Sequence, residues 1–196
     1  MNFIFAAVIG YFSGSIPYGL VLSRFAGLGD VRKIGSGNIG ATNVLRTGNK
    51  PIAILTLLCD VLKGTGPVLW AGYLWGEQAA IVAGFAAMIG HIYPVWLNFK
   101  GGKGVATLIG VLFGLYWPLA LIFLSIWLLI ALVFKFSSLS ALVSAALLPL
   151  WAWLLHQFNL IIPVLVLSIL IWTMHRANIA RLLNGTESKI SLGSKK

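Results

Sequence analysis

The sequence predicts an all-α polytopic membrane protein: a compact bundle of seven transmembrane helices, N-terminus outside, C-terminus cytoplasmic. Three observations predict it. The chain is 59% hydrophobic and only 9% charged, whereas about a quarter of the residues in globular domains are charged. Apolar stretches close to the ~20 residues that a spanning helix requires recur along its length. Lys and Arg gather in the polar stretches between them, as the positive-inside rule describes. The 196 residues leave room for one compact membrane domain and none for a second soluble one.

The elements follow in order. Residues 3–23 form the first run, loosened by Ser13, Ser15 and Pro17. No basic leader region or small-residue cleavage site accompanies it, so it is expected to stay as a helix. A polar stretch, 24–50, rich in Gly, Asn and basic residues, precedes a second run over 51–75, which contains Asp60 and Lys63. The third run is 79–99, followed by the glycine–lysine segment 100–104. Residues 105–134 carry no charge and are too long for one ordinary span; Tyr116-Trp117-Pro118 suits a turn at the membrane interface and predicts two shorter helices. Lys135 and the pair Ser137-Ser138 end the second of these. Runs over 139–155 and 160–173 complete the seven, and a polar, basic segment begins at His175.

Charge orients the bundle. With 24–50 inside, the segments 100–104, Lys135 and the C-terminal segment also fall inside, and the turns near Glu77, Trp117 and Gln157 hold no Lys or Arg. Every basic residue except Lys63 then lies on the cytoplasmic side. Keeping 105–134 as one long tilted helix would instead strand Lys135 outside. The domain reading is one transmembrane domain over 1–187 and a flexible basic tail over 188–196.

The net charge of +10 would suggest nucleic acid in a soluble protein. Here the cations serve topology, anionic membrane lipids and anionic substrates, and no nucleic-acid partner is expected. Cys59 is the only cysteine, which excludes a disulfide framework and a thiolate metal site.

Three motifs carry chemistry. In GSGNIGATNVLR, residues 35–46, glycines allow successive backbone N–H groups to form an anion nest. Ser36, Asn38, Thr42 and Asn43 add neutral donors, and Arg46 supplies a bidentate fork for phosphate. The string fits G-x-G-x-x-G literally, but no strand precedes it and no βαβ unit follows, which excludes a dinucleotide fold. In FKGGKGVATLIG, residues 99–110, Gly101, Gly102, Lys103 and Gly104 open onto a helix whose N-terminus attracts anions. A plain cytoplasmic turn with topology-setting lysines is the alternative there. In HRANIARLLNGTE, residues 175–187, a continuing helix would bring His175 and Asn178 near one face with Arg181 on its edge. A basic membrane-surface helix is the alternative.

Asp60 and Lys63, at i and i+3, should pair and face the bundle interior. His91, followed by Pro94, is either a hydrogen-bonded core residue or part of a site. Only Asp30, Asp60 and Glu187 offer carboxylates on the inner side, too few for an oxygen-ligand metal site. No metal and no cofactor is therefore expected, and the site looks built to hold anions directly. An anion transporter or lipid-phosphate carrier would also use donor-rich helix ends, and a non-catalytic scaffold is a third class.

The strings SGSIPYG, GSGNIGATNVLR, DVLKG, GHIYPVWLNFKGGKGVAT and HRANIARLLNGTE together resemble the bacterial acyl-phosphate:glycerol-3-phosphate acyltransferases, in the order expected and over nearly the whole chain. The resemblance implies a seven-helix enzyme of the bacterial inner membrane with its active site at the cytoplasmic face. It implies transfer of a fatty acyl group from acyl phosphate to sn-glycerol 3-phosphate, giving lysophosphatidic acid and inorganic phosphate for membrane phospholipid synthesis. It also implies coupling to the enzyme that supplies acyl phosphate. On that reading the catalytic residues are His175, Ser36, Arg46 and Lys103. Asn38, Thr42, Asn43, Asp60, Lys63, His91, Gly101, Gly102, Gly104, Asn178 and Arg181 bind substrate. His175 either takes the hydroxyl proton or only positions while the departing phosphate takes it. The acyl tail would lie between helices, open to lipid.

Overall fold

A computed structural model describes residues 1–190, so residues 191–196 of the expected C-terminal tail lie outside the described residues. Every regular element among the described residues is helical. The helices are α1 (Asn2–Ser15), α2 (Tyr18–Phe25), the short α3 (Ala41–Val44), α4 (Lys50–Trp75), α5 (Glu77–Ile92), α6 (Val105–Phe134), α7 (Ser137–Leu154), α8 (Phe158–Met174) and α9 (Arg176–Leu183). They form two compact units, Met1–Leu115 and Tyr116–Ile190.

In the first unit α1 packs chiefly on α5, and α4 packs on both. Small residues make this possible. A Cβ on Gly10 would collide with the Ala83 carbonyl, and one on Gly14 with that of Ala87. Gly10 and Gly14 thus form a G-x-x-x-G face that lets two apolar helices approach where lipid offers no hydrophobic drive for association. The first turns of α6 lie equally close to α4: a Cβ on Gly64 would come 2.5 Å from the Thr107 carbonyl oxygen.

Local chemistry sets the boundaries. Pro17 has no N–H to continue α1, and the chain turns there before α2. The Asn49 side chain caps α4 by accepting from the Ile52 N–H at 3.1 Å, with Pro51 in the first turn. The backbone of α6 leaves helical geometry at Tyr116 (φ −160°, ψ 97°), within the tripeptide that the sequence marked as a break.

In the second unit α7 and α8 pack side by side. Ser168 Oγ donates to the Ala145 carbonyl at 2.6 Å, and Trp172 Nε1 to that of Leu142 at 3.2 Å. The helix does not continue straight into the third motif: α9 is bent 61° from α8 at His175. The His175 backbone N–H still bonds the Ile171 carbonyl at 3.1 Å, but the ring Nδ1 takes the same oxygen at 2.8 Å, and the ladder ends there. Beyond α9 the chain returns, and the Ile190 N–H reaches the Lys135 carbonyl at 2.7 Å.

The protein is a multi-pass membrane protein. Among the described residues, five helical segments are long and apolar enough to cross a bilayer: Asn2–Phe25, Lys50–Trp75, Glu77–Leu97, Val105–Phe134 and Ser137–Leu154. The bent pair Phe158–Met174 with Arg176–Leu183 makes a sixth where the pair is counted as one span. The difference from seven lies wholly in Val105–Phe134, counted here as one segment of 30 residues. Leu62, Tyr73, Leu132 and Ile162 are among many large apolar side chains left exposed, which suits lipid better than water.

Candidate functional site

Asn43 organises the first motif. Its side chain is buried, and Nδ2 donates to the carbonyls of Val31 (2.8 Å), Ile34 (3.0 Å) and Asn38 (2.8 Å). Its Oδ1 accepts from the Ser36 N–H at 3.1 Å and from Ser36 Oγ at 3.3 Å. The amide is therefore fully engaged within the loop that it folds. Gly35 has a φ of 54°, and a Cβ there would come within 2.6 Å of both Asn43 Oδ1 and Arg46 Nη1. Only glycine lets the Arg46 side chain close over this turn. Ser36, Asn43 and Arg46 are thus brought together. Asn38 enters through its carbonyl, and Thr42 lies on α3 beside Asn43. Asp30, the acid of this stretch, pairs with Arg24 and Arg32. Hydrogen bonding from Arg32 holds its carboxyl well below the usual carboxylate range.

The second motif hangs from the end of α5. The Gly101 N–H donates to the Ile92 carbonyl at 2.9 Å, and the Gly102 N–H to that of His91 at 3.1 Å. Two successive non-glycine residues with positive φ, Asn98 (50°) and Phe99 (59°), turn the chain back to make this possible. Gly104 has a φ of 86° and opens onto α6, with Lys103 just before it. An α-helix leaves its first four N–H groups without intrahelical partners, so this start of α6 suits an anion.

Behind the loop lies a buried polar chain. Lys63 Nζ is 2.6 Å from Asp60 Oδ1 and also donates to the Ile16 carbonyl at 2.8 Å, an oxygen at the break after α1. The interior ion pair expected from the i, i+3 spacing is present. His91 Nδ1 is 4.0 Å from Asp60 Oδ1 and 3.0 Å from Thr107 Oγ1. His91 is 4% exposed.

The third motif lies in the second unit. His175 and Asn178 are buried, at the bend and on α9. The Ile171 carbonyl can only accept, so His175 Nδ1 carries a proton, and in the neutral ring Nε2 is the basic nitrogen. Glu187 gathers the other donors. Its Oε1 accepts from Ser138 Oγ at 2.7 Å and Asn178 Nδ2 at 2.6 Å, and its Oε2 from Arg181 Nε at 2.6 Å. Burial pushes the Glu187 carboxyl up, but these hydrogen bonds and the Arg181 charge together hold it below its ordinary value.

Sequence reading missed Glu187 as the centre of this cluster and Thr107 as the partner of His91. The signal for Glu187 was its standing as the sole acid of a basic motif. Thr107 gave no signal, since its distance from His91 follows from helix packing. Among the described residues, no three His, Cys, Asp or Glu side chains come together as a metal site.

A family model described as glycerol-3-phosphate acyltransferase matches residues 4–185. A glycerol-3-phosphate acyltransferase of Mesorhizobium japonicum is 58% identical over 187 residues, which are 95% of this chain and 95% of that protein. One from Agrobacterium fabrum is 58% identical over 185 residues, 94% of this chain and 90% of that protein. The fold matches the crystal structure of PlsY, an integral membrane glycerol 3-phosphate acyltransferase, in its glycerol 3-phosphate form, with a TM-score of 0.92 at 36% identity over 97% of this chain and 96% of that one.

Proposed function

The chain belongs to the glycerol-3-phosphate acyltransferase family, and from that premise we propose that it acylates the 1-hydroxyl of sn-glycerol 3-phosphate with acyl phosphate as donor. The hydroxyl oxygen attacks the acyl carbonyl carbon, the bond from that carbon to the phosphate oxygen breaks, and inorganic phosphate leaves with the electron pair. Lysophosphatidic acid is the product. The proton goes to His175 Nε2, or to the departing phosphate while His175 positions.

The observation that carries this reading is the loop built by Asn43, where Ser36 and the Arg46 guanidinium meet over a glycine turn. Asp30, the nearest acid in sequence, is already paired with Arg24 and Arg32, which leaves the turn suited to a phosphate. An acyl phosphate carries its own leaving group, so no acyl-enzyme is needed. The work left to the protein is to hold anions in attack geometry and to stabilise developing charge. Gly101, Gly102, Lys103 and Gly104 shape the donor-phosphate loop, with Lys103 and the start of α6 as its cationic part. Ser36, Asn38, Thr42 and Arg46 bind phosphate. His175, Asn178 and Arg181 bind glycerol 3-phosphate. Asn43, Asp60, Lys63 and His91, expected from the sequence to bind substrate, are buried among other protein groups, so their proposed part is to support these surfaces from beneath.

The reading also takes seven crossings, with 105–134 counted as two around Tyr116, and an active face on the cytoplasmic side of the inner membrane. The enzyme that makes acyl phosphate would supply the donor.

Two parallel reactions with purified protein and labelled glycerol 3-phosphate test the donor. Labelled lysophosphatidic acid from long-chain acyl phosphate and none from acyl-CoA supports the proposal. Product from acyl-CoA alone overturns the donor while keeping the acyltransferase. Phosphate flux through proteoliposomes with no acyl transfer would favour the carrier instead.

A further inference from the structure

The geometry points to His91 as the positioning residue of the glycine–lysine loop, acting on substrate only through that loop. The inference rests on the proposed reading of the loop as the donor-phosphate site.

The loop closes on the Nε2 edge of the His91 ring. A Cβ on Gly102 would collide with His91 Nε2 and come 3.0 Å from Cε1 and 3.1 Å from Cδ2. A Cβ on Gly101 would collide with the His91 carbonyl oxygen and come 2.5 Å from Pro94 Cδ. The residue thus holds the loop twice, through the Nε2 edge of its ring against Gly102 and through its carbonyl, which accepts the Gly102 N–H at 3.1 Å. The need for glycine at 101 and 102 follows from this close approach rather than from dihedral freedom, since neither has a positive φ.

The ring itself is fixed. Thr107 Oγ1 lies 3.0 Å from Nδ1, and Thr107 belongs to the first turns of α6, the helix into which the loop runs. His91 therefore grips the loop on both sides of Lys103: Gly101 and Gly102 before it, Thr107 after it. Asp60 Oδ1, 4.0 Å from Nδ1, is beyond hydrogen-bonding distance of the ring and lies 2.6 Å from Lys63 Nζ. The ion pair is a wall behind the ring rather than its partner. At 4% exposure His91 offers a substrate almost no surface. Its influence reaches the reaction by setting where Lys103 and the α6 N-terminus stand.

The test uses purified full-length protein with His91→Ala, Thr107→Val, Gly102→Ala and the His91→Ala/Gly102→Ala double variant. Steady-state kinetics give KM for acyl phosphate and for glycerol 3-phosphate, and hydrogen exchange follows the amides of residues 100–104. Expected for His91→Ala are a roughly tenfold rise in KM for acyl phosphate, a KM for glycerol 3-phosphate within about twofold of wild type, and roughly tenfold faster loop exchange. Thr107→Val, which removes the hydroxyl anchor at nearly constant volume, should shift both readouts in the same direction by less. Gly102→Ala should do less harm in the chain lacking the imidazole than in the chain that has it.

Wild-type KM values and loop protection in a folded His91→Ala protein would overturn the inference. So would equal damage from Gly102→Ala with and without the imidazole. If His91→Ala does not fold, Thr107→Val and the exchange data on Gly102→Ala decide. If wild-type protein transfers no acyl group, the functional reading fails, and the exchange arm still decides whether His91 holds the loop.

Discussion

Lys63 Nζ lies 2.6 Å from Asp60 Oδ1 inside the apolar helix α4, with the two side chains only 2% and 3% exposed. The pair exists because neither charge could stand alone there. A buried ion left without its partner is strongly destabilising, whereas replacing both ions with apolar groups is often near neutral. Asp60→Ala or Lys63→Ala should therefore cost about 3–5 kcal/mol. The double change Asp60→Leu/Lys63→Met should cost less than either. Thermal unfolding in detergent checks this; single variants as stable as wild type would contradict it.

Asn43 is the frame of the first motif. Asn43→Ala takes its partner from the Ser36 N–H, at about 1–3 kcal/mol for an unsatisfied group, and its bond from the Asn38 carbonyl, while the Val31 and Ile34 carbonyls keep the N–H groups of Ile34 and Gly37. Asn43→Asp keeps the acceptor for Ser36 but aims an anion at the carbonyls of Val31, Ile34 and Asn38. It should be at least as damaging as Asn43→Ala, in both unfolding temperature and acyl transfer. An active, stable Asn43→Asp protein would show that the donor bonds are not what shapes the loop.

The fold was largely legible because membrane constraints are coarse and local. Twenty-residue apolar runs, Pro17 and the Tyr116-Trp117-Pro118 tripeptide each leave their mark in consecutive residues. The site was legible as a set of motifs and illegible as a set of contacts. The spacing of Asp60 and Lys63 on one helix predicted their pairing, since three residues is nearly one turn. Nothing local predicted that Asn43 would reach back to Val31, or that His91 would meet Thr107, because those distances are set by how helices and loops pack. The bend at His175, where the ring nitrogen shares the Ile171 carbonyl with the backbone N–H, has no proline or glycine beside it to announce it.

Glu187 gives the C-terminal cluster a pH dependence of known sign. Its pKa is lowered in the folded state, so its contribution to stability is complete above the ordinary carboxylate value and is lost as pH falls through the folded one. Unfolding temperature should drop as pH falls below about 4. Glu187→Gln should flatten that part of the profile while lowering stability at neutral pH. An unchanged acid slope in Glu187→Gln would assign the loss to other groups.

Topology is tested at Lys135. With the native Cys59 changed to Ala, Lys135→Cys should react with a membrane-impermeant maleimide only from the cytoplasmic side. Labelling from outside would mean that 105–134 crosses once, and the seven-crossing arrangement would be wrong.

The most direct measurement is the initial rate at which purified wild-type protein forms labelled lysophosphatidic acid from long-chain acyl phosphate and labelled glycerol 3-phosphate, beside Arg46→Ala. The phosphate-holding role of the first motif predicts product from wild type and a loss of roughly a hundredfold or more in Arg46→Ala. Equal rates from the two, or no product from folded wild-type protein, would contradict it.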